Sequence, residues 1–277
     1  MNDCRHSRSL AVITLIFLVL AGSSIAAGAK NHPAKPGPEN TGPRGALRPS
    51  GPVTVTTNGA VVQGLDVNGC IEIHADRVTV RDVRVHCDNP FGIRTMPGHS
   101  GTKIEFSEVA MVGCQDAAVS GGWKELRYSE LYGCADGTKI GSDTLVEYNY
   151  IHPTKPPGAE IHLDGVQSLS ARRVTLRYNN ITLPADNGGN AAGIFQTESG
   201  PSSDILIDSN WLNGGNYTIF VNAKNHGCPM NVRVTNNKIG RDYRYGVYYP
   251  GGCGELIAGN TWEDTGRPIN RSGPLPG

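Results

Sequence analysis

VTLRYNNI at residues 174–181, ILIDSNWL at 205–212 and VRVTNNKI at 232–239 are three versions of one phrase. Each opens on alternating apolar residues, turns at an asparagine and closes on an apolar residue. The phrase recurs every twenty to thirty residues or so, with starts at Val78, Ile104, Leu126, Thr144, Val174, Ile205, Val232 and Glu255. Five positions after each start stand Val83, Val109, Leu131, Asn149, Asn179, Asn210, Asn237 and Asn260, which reads as an apolar column that becomes an asparagine column. Repeats of this length, made of β-prone residues with no helical phase between them, describe a solenoid in which each repeat buries its face only against its neighbours. The asparagines are then structural: stacked at one bend per coil, near the left-handed backbone region, they chain their amides up the stack.

A second column agrees. Small residues precede apolar ones at Gly92-Ile93, Ala117-Ala118, Gly137-Thr138, Gly165-Val166, Gly193-Ile194, Thr218-Ile219 and Gly246-Val247, so strands stack at least twice per coil. A leucine-rich repeat has a similar period but needs a leucine skeleton and usually a helical segment, and this chain is rich in Gly, Asn, Val and Ile instead. The expected fold is all-β: a single-domain right-handed parallel β-helix of about nine coils.

Working outward, residues 1–29 read as a secretory signal peptide, with Arg5 and Arg8 ahead of an apolar run from Leu10 to Leu20 and an Ala27-Gly28-Ala29 cleavage site. That run is short for a membrane span, so no membrane association is expected after cleavage. Residues 30–52 are Pro/Gly-rich and read as a leader or strap, and 53–277 as the β-helix domain. Six cysteines follow the signal. In a secreted chain an even count favours disulfides, and residues one coil apart stack within bridging reach, which pairs Cys70 with Cys87, Cys114 with Cys134, and Cys228 with Cys253. Cys87 also lies about one coil from Cys114, so the division of the first four stays open. Lys plus Arg and Asp plus Glu are 25 each, which argues against nucleic acid as a partner.

In a solenoid, like positions in successive coils form a row. CADGTKIG and HLDGVQS fall in one register, with Asp136 over Asp164 and Lys139 over Gln167, while Asp116 begins the row one coil earlier. Carboxylates about 4.8 Å apart raise each other's pKa unless a cation or donors intervene. His162 is two residues from Asp164 and points the same way. Arg94 takes the position of Lys139 in its own coil. The catalytic candidates are therefore Asp136, Lys139, His162, Asp164 and Gln167; Asp116, Asp136 and Asp164 are the candidate ligands of a calcium ion. Inserted turns from His152 to Glu160 and Leu183 to Ala192 flank the set. Arg94, Tyr243, Tyr245 and Tyr248 are the candidate substrate-binding residues, since flat rings stack on sugars. Phe195, Phe220 and Trp262 read as core or cap. The bland alternative is that Asp-Gly is a turn pair whose aspartate caps backbone amides.

TGPRGALRPSGPVTVTTNGAVVQGLDVNGC (41–70), DGTKIGS (136–142), HLDGVQS (162–168), GGNYTIFV (214–221) and GNTWEDTG (259–266) come in an order that resembles secreted bacterial right-handed β-helix proteins of the pectate-lyase-like superfamily. The resemblance implies a polysaccharide substrate. His162, Asp164, Gly165 and Gln167 match a His-x-Asp-Gly-x-Gln motif; Asp136, Gly137 and Lys139 match Asp-Gly-x-Arg/Lys. The Asp-Asp pair and Gly-His-Gly triplet of pectin hydrolases are missing. The expected function is that of a secreted, monomeric enzyme using β-elimination on an extracellular uronate glycan, with a glycoside hydrolase using paired aspartates, or a non-catalytic glycan-binding solenoid, as alternatives.

Overall fold

The computed structural model describes residues 34–154, 161–184, 189–251 and 253–270. The expected signal peptide and parts of both inserted turns (155–160 and 185–188) lie outside the described residues. No helix occurs among those residues; 24 strands form one parallel sheet wound into a β-helix. A typical coil contributes three strands, Thr144–Glu147, Tyr150–His152 and Leu163–Ser168, which pair with Arg172–Arg177, Asn180–Thr182 and Gly189–Gln196 of the next. The first face holds nine rungs, starting at Val61, Thr79, Thr102, Trp123, Thr144, Arg172, Ser203, Met230 and Leu256.

Alternation decides which side chains fill the interior. Val146, Leu176, Ile207 and Val234 stack in one inward column of the first face, and Ile151, Ile181, Leu212 and Ile239 in that of the second. All are at most 1 % exposed, and each such side chain contributes roughly 1.5–3 kcal/mol of hydrophobic free energy. Outside, the first face carries a row of alternating sign, Arg81, Glu105, Arg127, Glu147, Arg177 and Asp208, in direct register. A slip by one coil would set like charges opposite, so the row reinforces register.

Asn149, Asn179, Asn210 and Asn237 are fully buried. Each donates through Nδ2 to the Oδ1 of the next asparagine at 2.9–3.0 Å, the last to Asn260. Two sequence expectations are corrected here. The ladder continues toward the N-terminus through Ser129 and Ser107, not through Leu131 and Val109. Those two belong with Val85 and Ile151 to the apolar column two positions along, because Leu126 pairs with Val146 and not with Thr144. Nor do the asparagines take the left-handed conformation. The residue before each does: Phe106, Tyr128, Tyr148, Tyr178, Ser209 and Asn236 have φ of 46–58°. Phe106, Tyr128, Tyr148 and Tyr178 stack in a second, aromatic ladder with centroids 4.7–5.0 Å apart. The strain of a left-handed L-residue, of order 1–2 kcal/mol, is offset by the buried amide chain beside it.

The Pro/Gly-rich leader is a strap. Lys35 pairs with Glu263 in the last coil at 2.6 Å, Asn180 donates to Pro36 O, and Gly42 N–H donates to Tyr128 O. Arg44 then forms a two-pronged pair with Asp82 and lies 3.4 Å over the Phe106 ring. The segment thus runs back along the stack before Arg48–Ser50 joins the β-helix by pairing with Leu65–Val67, ahead of the expected domain start at residue 53. At the other end the chain folds over its last rung: Trp262 N–H donates to Arg267 O and Ile269 N–H to Asn260 O.

Disulfides join Cys70 to Cys87, Cys114 to Cys134 and Cys228 to Cys253, with Cα atoms 5.1, 4.4 and 5.3 Å apart. Three intramolecular bridges fit an oxidising, extracellular environment. No helix among the described residues is long and apolar enough to cross a membrane.

Candidate functional site

The third face carries the candidate residues, and glycines explain how. A Cβ on Gly137 would strike Ile151 Cγ2, and one on Gly165 would strike Ile181 Cγ2, so at both positions the third-face strand lies directly on the inward column of the second. The residue before each glycine is then fixed at the edge of that contact. Those residues are Asp136 and Asp164, paired in register, with Lys139 paired to Gln167 three positions on.

Both aspartates are buried, Asp136 at 5 % exposure and Asp164 at 1 %. Burial pushes the Asp136 carboxyl up to about 7; the charge of Asp164 adds to the rise, the Lys139 ammonium opposes it, and Asp116 adds a smaller contribution. Asp164 is raised to about 6, again mainly by burial, against the opposing pull of the donors that favour its ionised form. Its Oδ2 accepts from Gln167 Nε2, and its Oδ1 from Asn190 Nδ2 and the Ala191 N–H, all at 3.1 Å. Two of these three donors are side chains, so Asp164 does more than cap a backbone turn: it orients two amides. Asn190 was not singled out from sequence. Its only signal was its place in the second inserted turn.

Lys139 hydrogen-bonds Asp116 and lies 3.6 Å from Asp136 Oδ2. Its backbone carbonyl accepts from the buried Trp123 indole at 3.1 Å. His162 is exposed just before the strand, close enough for its charge to favour ionised Asp164. The Cys114–Cys134 bridge ties the two coils together two residues before Asp116 and Asp136. A calcium ion does not fit this arrangement. Among the described residues no group of three or more His, Cys, Asp or Glu is placed to hold a metal. The cation between Asp116 and Asp136 is the ammonium, and the oxygens of Asp164 are taken by amide donors.

Arg94 stands in the same outward column as Lys139, with Ser120 between them, and its guanidinium lies 4.3 Å from the Phe91 ring centroid. The tyrosines divide. Tyr243 and Tyr248 pack against the hydrophobic core and so are end-packing residues, whereas Tyr245 is 46 % exposed and lies 5.7 Å from Tyr217. Phe195 is fully buried, and Trp262 packs on the core beside Tyr243. Phe220 differs from its expected core position: it pairs with Ile194, which pairs with Gln167, so it occupies the Lys139–Gln167 row. A register shift near Leu163 hides this in the sequence, because it moves the small-residue column from Gly193 to Ala192.

No family model matches the chain, and neither a curated protein nor a solved structure shows significant similarity to it.

Proposed function

We propose that the protein is a secreted polysaccharide-processing enzyme, in keeping with its resemblance to the pectate-lyase-like superfamily, and that it cleaves an acidic glycan by metal-free β-elimination. The observation that carries this reading is the Lys139 ammonium, anchored by Asp116 and Asp136 beside the Gln167 and Asn190 amides on an outward row. A uronate carboxylate set against these donors has its negative charge countered, which eases removal of the C5 proton. His162 takes that proton. The C5–H electron pair forms the C4=C5 double bond, the C4–O bond breaks, and the leaving oxygen is protonated from solvent without a water molecule being consumed. Asp136 and Asp164 act from below, as the buried pair that holds Lys139 and the two amides in place. Their burial counts against the hydrolase alternative, in which they would have to reach the glycosidic oxygen themselves.

The test is incubation with polygalacturonate, alginate and a neutral glucan, read by ultraviolet absorbance and by reducing ends. Absorbance and reducing ends should rise together on a uronate polymer, persist in EDTA and vanish in His162→Ala and Lys139→Ala. Reducing ends without absorbance would replace the lyase with a hydrolase. Unchanged polymer with retention on an immobilised glycan would leave a binding module.

A further inference from the structure

The outward row of the third face changes character along its length. From the N-terminal end it reads Arg94, Ser120, Lys139 and Gln167, then Ile194 and Phe220. Tyr248 pairs one position before, with Ile219, which sets Tyr249 in the next rung. The Phe220 and Tyr249 rings stack with centroids 4.0 Å apart. Tyr217 stands nearly perpendicular to that stack, 5.4 Å from Tyr249 and 6.0 Å from Phe220, and brings in the exposed Tyr245. Arg244 covers Tyr245 at 5.0 Å, but among the described residues no cation lies over Phe220 or Tyr249. The row therefore has a cationic and amide half, an aromatic half, and the Lys139–Gln167 cluster between its ends.

We infer that this row binds a mixed glycan, with an acidic sugar at Arg94–Lys139–Gln167 and uncharged sugars at the Phe220–Tyr249 end, beyond the buried Ile194. The inference rests on the glycan reading above and narrows it from uronate homopolymers to chains of uronate and neutral sugars. Three considerations support it. Successive rungs are about 4.8 Å apart, comparable with the rise of one sugar in an extended chain, so one polymer meets the row residue by residue. A carboxylate gains from the ammonium and guanidinium but loses hydration without compensation beside the Phe220 and Tyr249 rings. The apolar C–H face of a neutral pyranose has the opposite preference. Packing at the stack end does not account for the platform, because Tyr243, Tyr248 and Trp262 already pack on the core there while Phe220 lies in the outward row.

The experiment measures binding by calorimetry to three hexasaccharide-sized probes: a galacturonan, a neutral xylan and a glucuronic-acid-substituted xylan. The wild-type chain should bind the substituted xylan at least about tenfold more tightly than either of the others, a ratio within reach of two ring contacts. Phe220→Ala with Tyr249→Ala should lose about that factor for both xylans and leave galacturonan binding unchanged, whereas Arg94→Ala should weaken galacturonan and the substituted xylan and leave the neutral xylan unchanged. Phe220→Leu keeps the apolar volume without the flat ring and should reproduce the loss, which guards against a folding defect. Equal loss for all three probes, or no loss for any, would overturn the inference. Binding is read without cleavage, so a chain that sorts the probes as expected but releases no unsaturated sugar refutes the lyase chemistry alone.

Discussion

Between about pH 4 and pH 7 this protein should lose stability as the pH rises, the opposite of what surface ion pairs produce. Asp136 titrates near 7 in the folded chain, against 3.8 for an ordinary aspartate. A carboxyl whose folded pKa lies above its unfolded value keeps its proton longer in the folded state. Within that window the folded chain binds more protons, and stability falls with every step upward. At about 1.4 kcal/mol per pH unit, the ionised Asp136 costs the fold about 4 kcal/mol by pH 8. Asp164, raised to about 6, acts in the same direction. Groups with depressed values, such as Asp82 beside Arg44, contribute stability above the ordinary aspartate pKa and lose it only below about pH 4, outside the window. The perturbation is Asp136→Asn, which keeps the shape and removes the titration. Urea unfolding followed by tryptophan fluorescence, with disulfides intact, should give a wild-type midpoint well below its pH 5 value at pH 8. The advantage of the variant over wild type should widen by about 3 kcal/mol from pH 5 to pH 8, where it reaches about 4 kcal/mol. Equal wild-type midpoints at the two pH values, or the same decline in both proteins, would refute the burial argument.

Three further outcomes are expected. Asn179→Ala removes donors to Val146 O and Asn210 and leaves Asn149 without its acceptor, so the unfolding free energy from urea titration should drop by about 3 kcal/mol or more; an unchanged value would mean that the ladder is decorative. Cys114→Ala with Cys134→Ala should cost about 2–4 kcal/mol and, by loosening the coils of Asp116 and Asp136, reduce glycan cleavage at temperatures where the fold persists. Arg44→Ala unpairs Asp82 and uncovers Phe106, and hydrogen exchange should quicken at the Asp82 turn while remaining slow at Asn237.

The architecture was legible because a solenoid writes the same constraint many times over. One asparagine at a bend is ambiguous, but five in one phase are not, and cysteines one coil apart could meet only along the stack. The Asp136–Asp164 and Lys139–Gln167 pairings followed from the same periodicity. Whatever interrupts that periodicity was misread. The asparagine ladder was joined to the wrong apolar residues because both columns hold small or apolar side chains two positions apart. Phe220 was placed inside because a shifted rung inverts the in-and-out pattern without leaving a sequence mark. Asn190 lies in an insertion, where no repeat predicts its neighbours. Burial of Asp136 and Asp164 depends on how neighbouring coils close over them, and a single-coil pattern does not contain that.

The strap alters the order in which the molecule can be finished. A stack of coils needs no part of itself that is made much later, since each rung completes the one before. Lys35 and Pro36, however, find their partners at Glu263 and Asn180, so a segment that emerges from the ribosome among the first must wait for nearly the whole chain. Until the last coil forms, Lys35 has no place to fasten, although Pro36, Gly42 and Arg44 already meet Asn180, Tyr128 and Asp82 in earlier coils. The strap is therefore fastened in stages, and only its outermost tie, Lys35 to Glu263, reports that the last coil is in place.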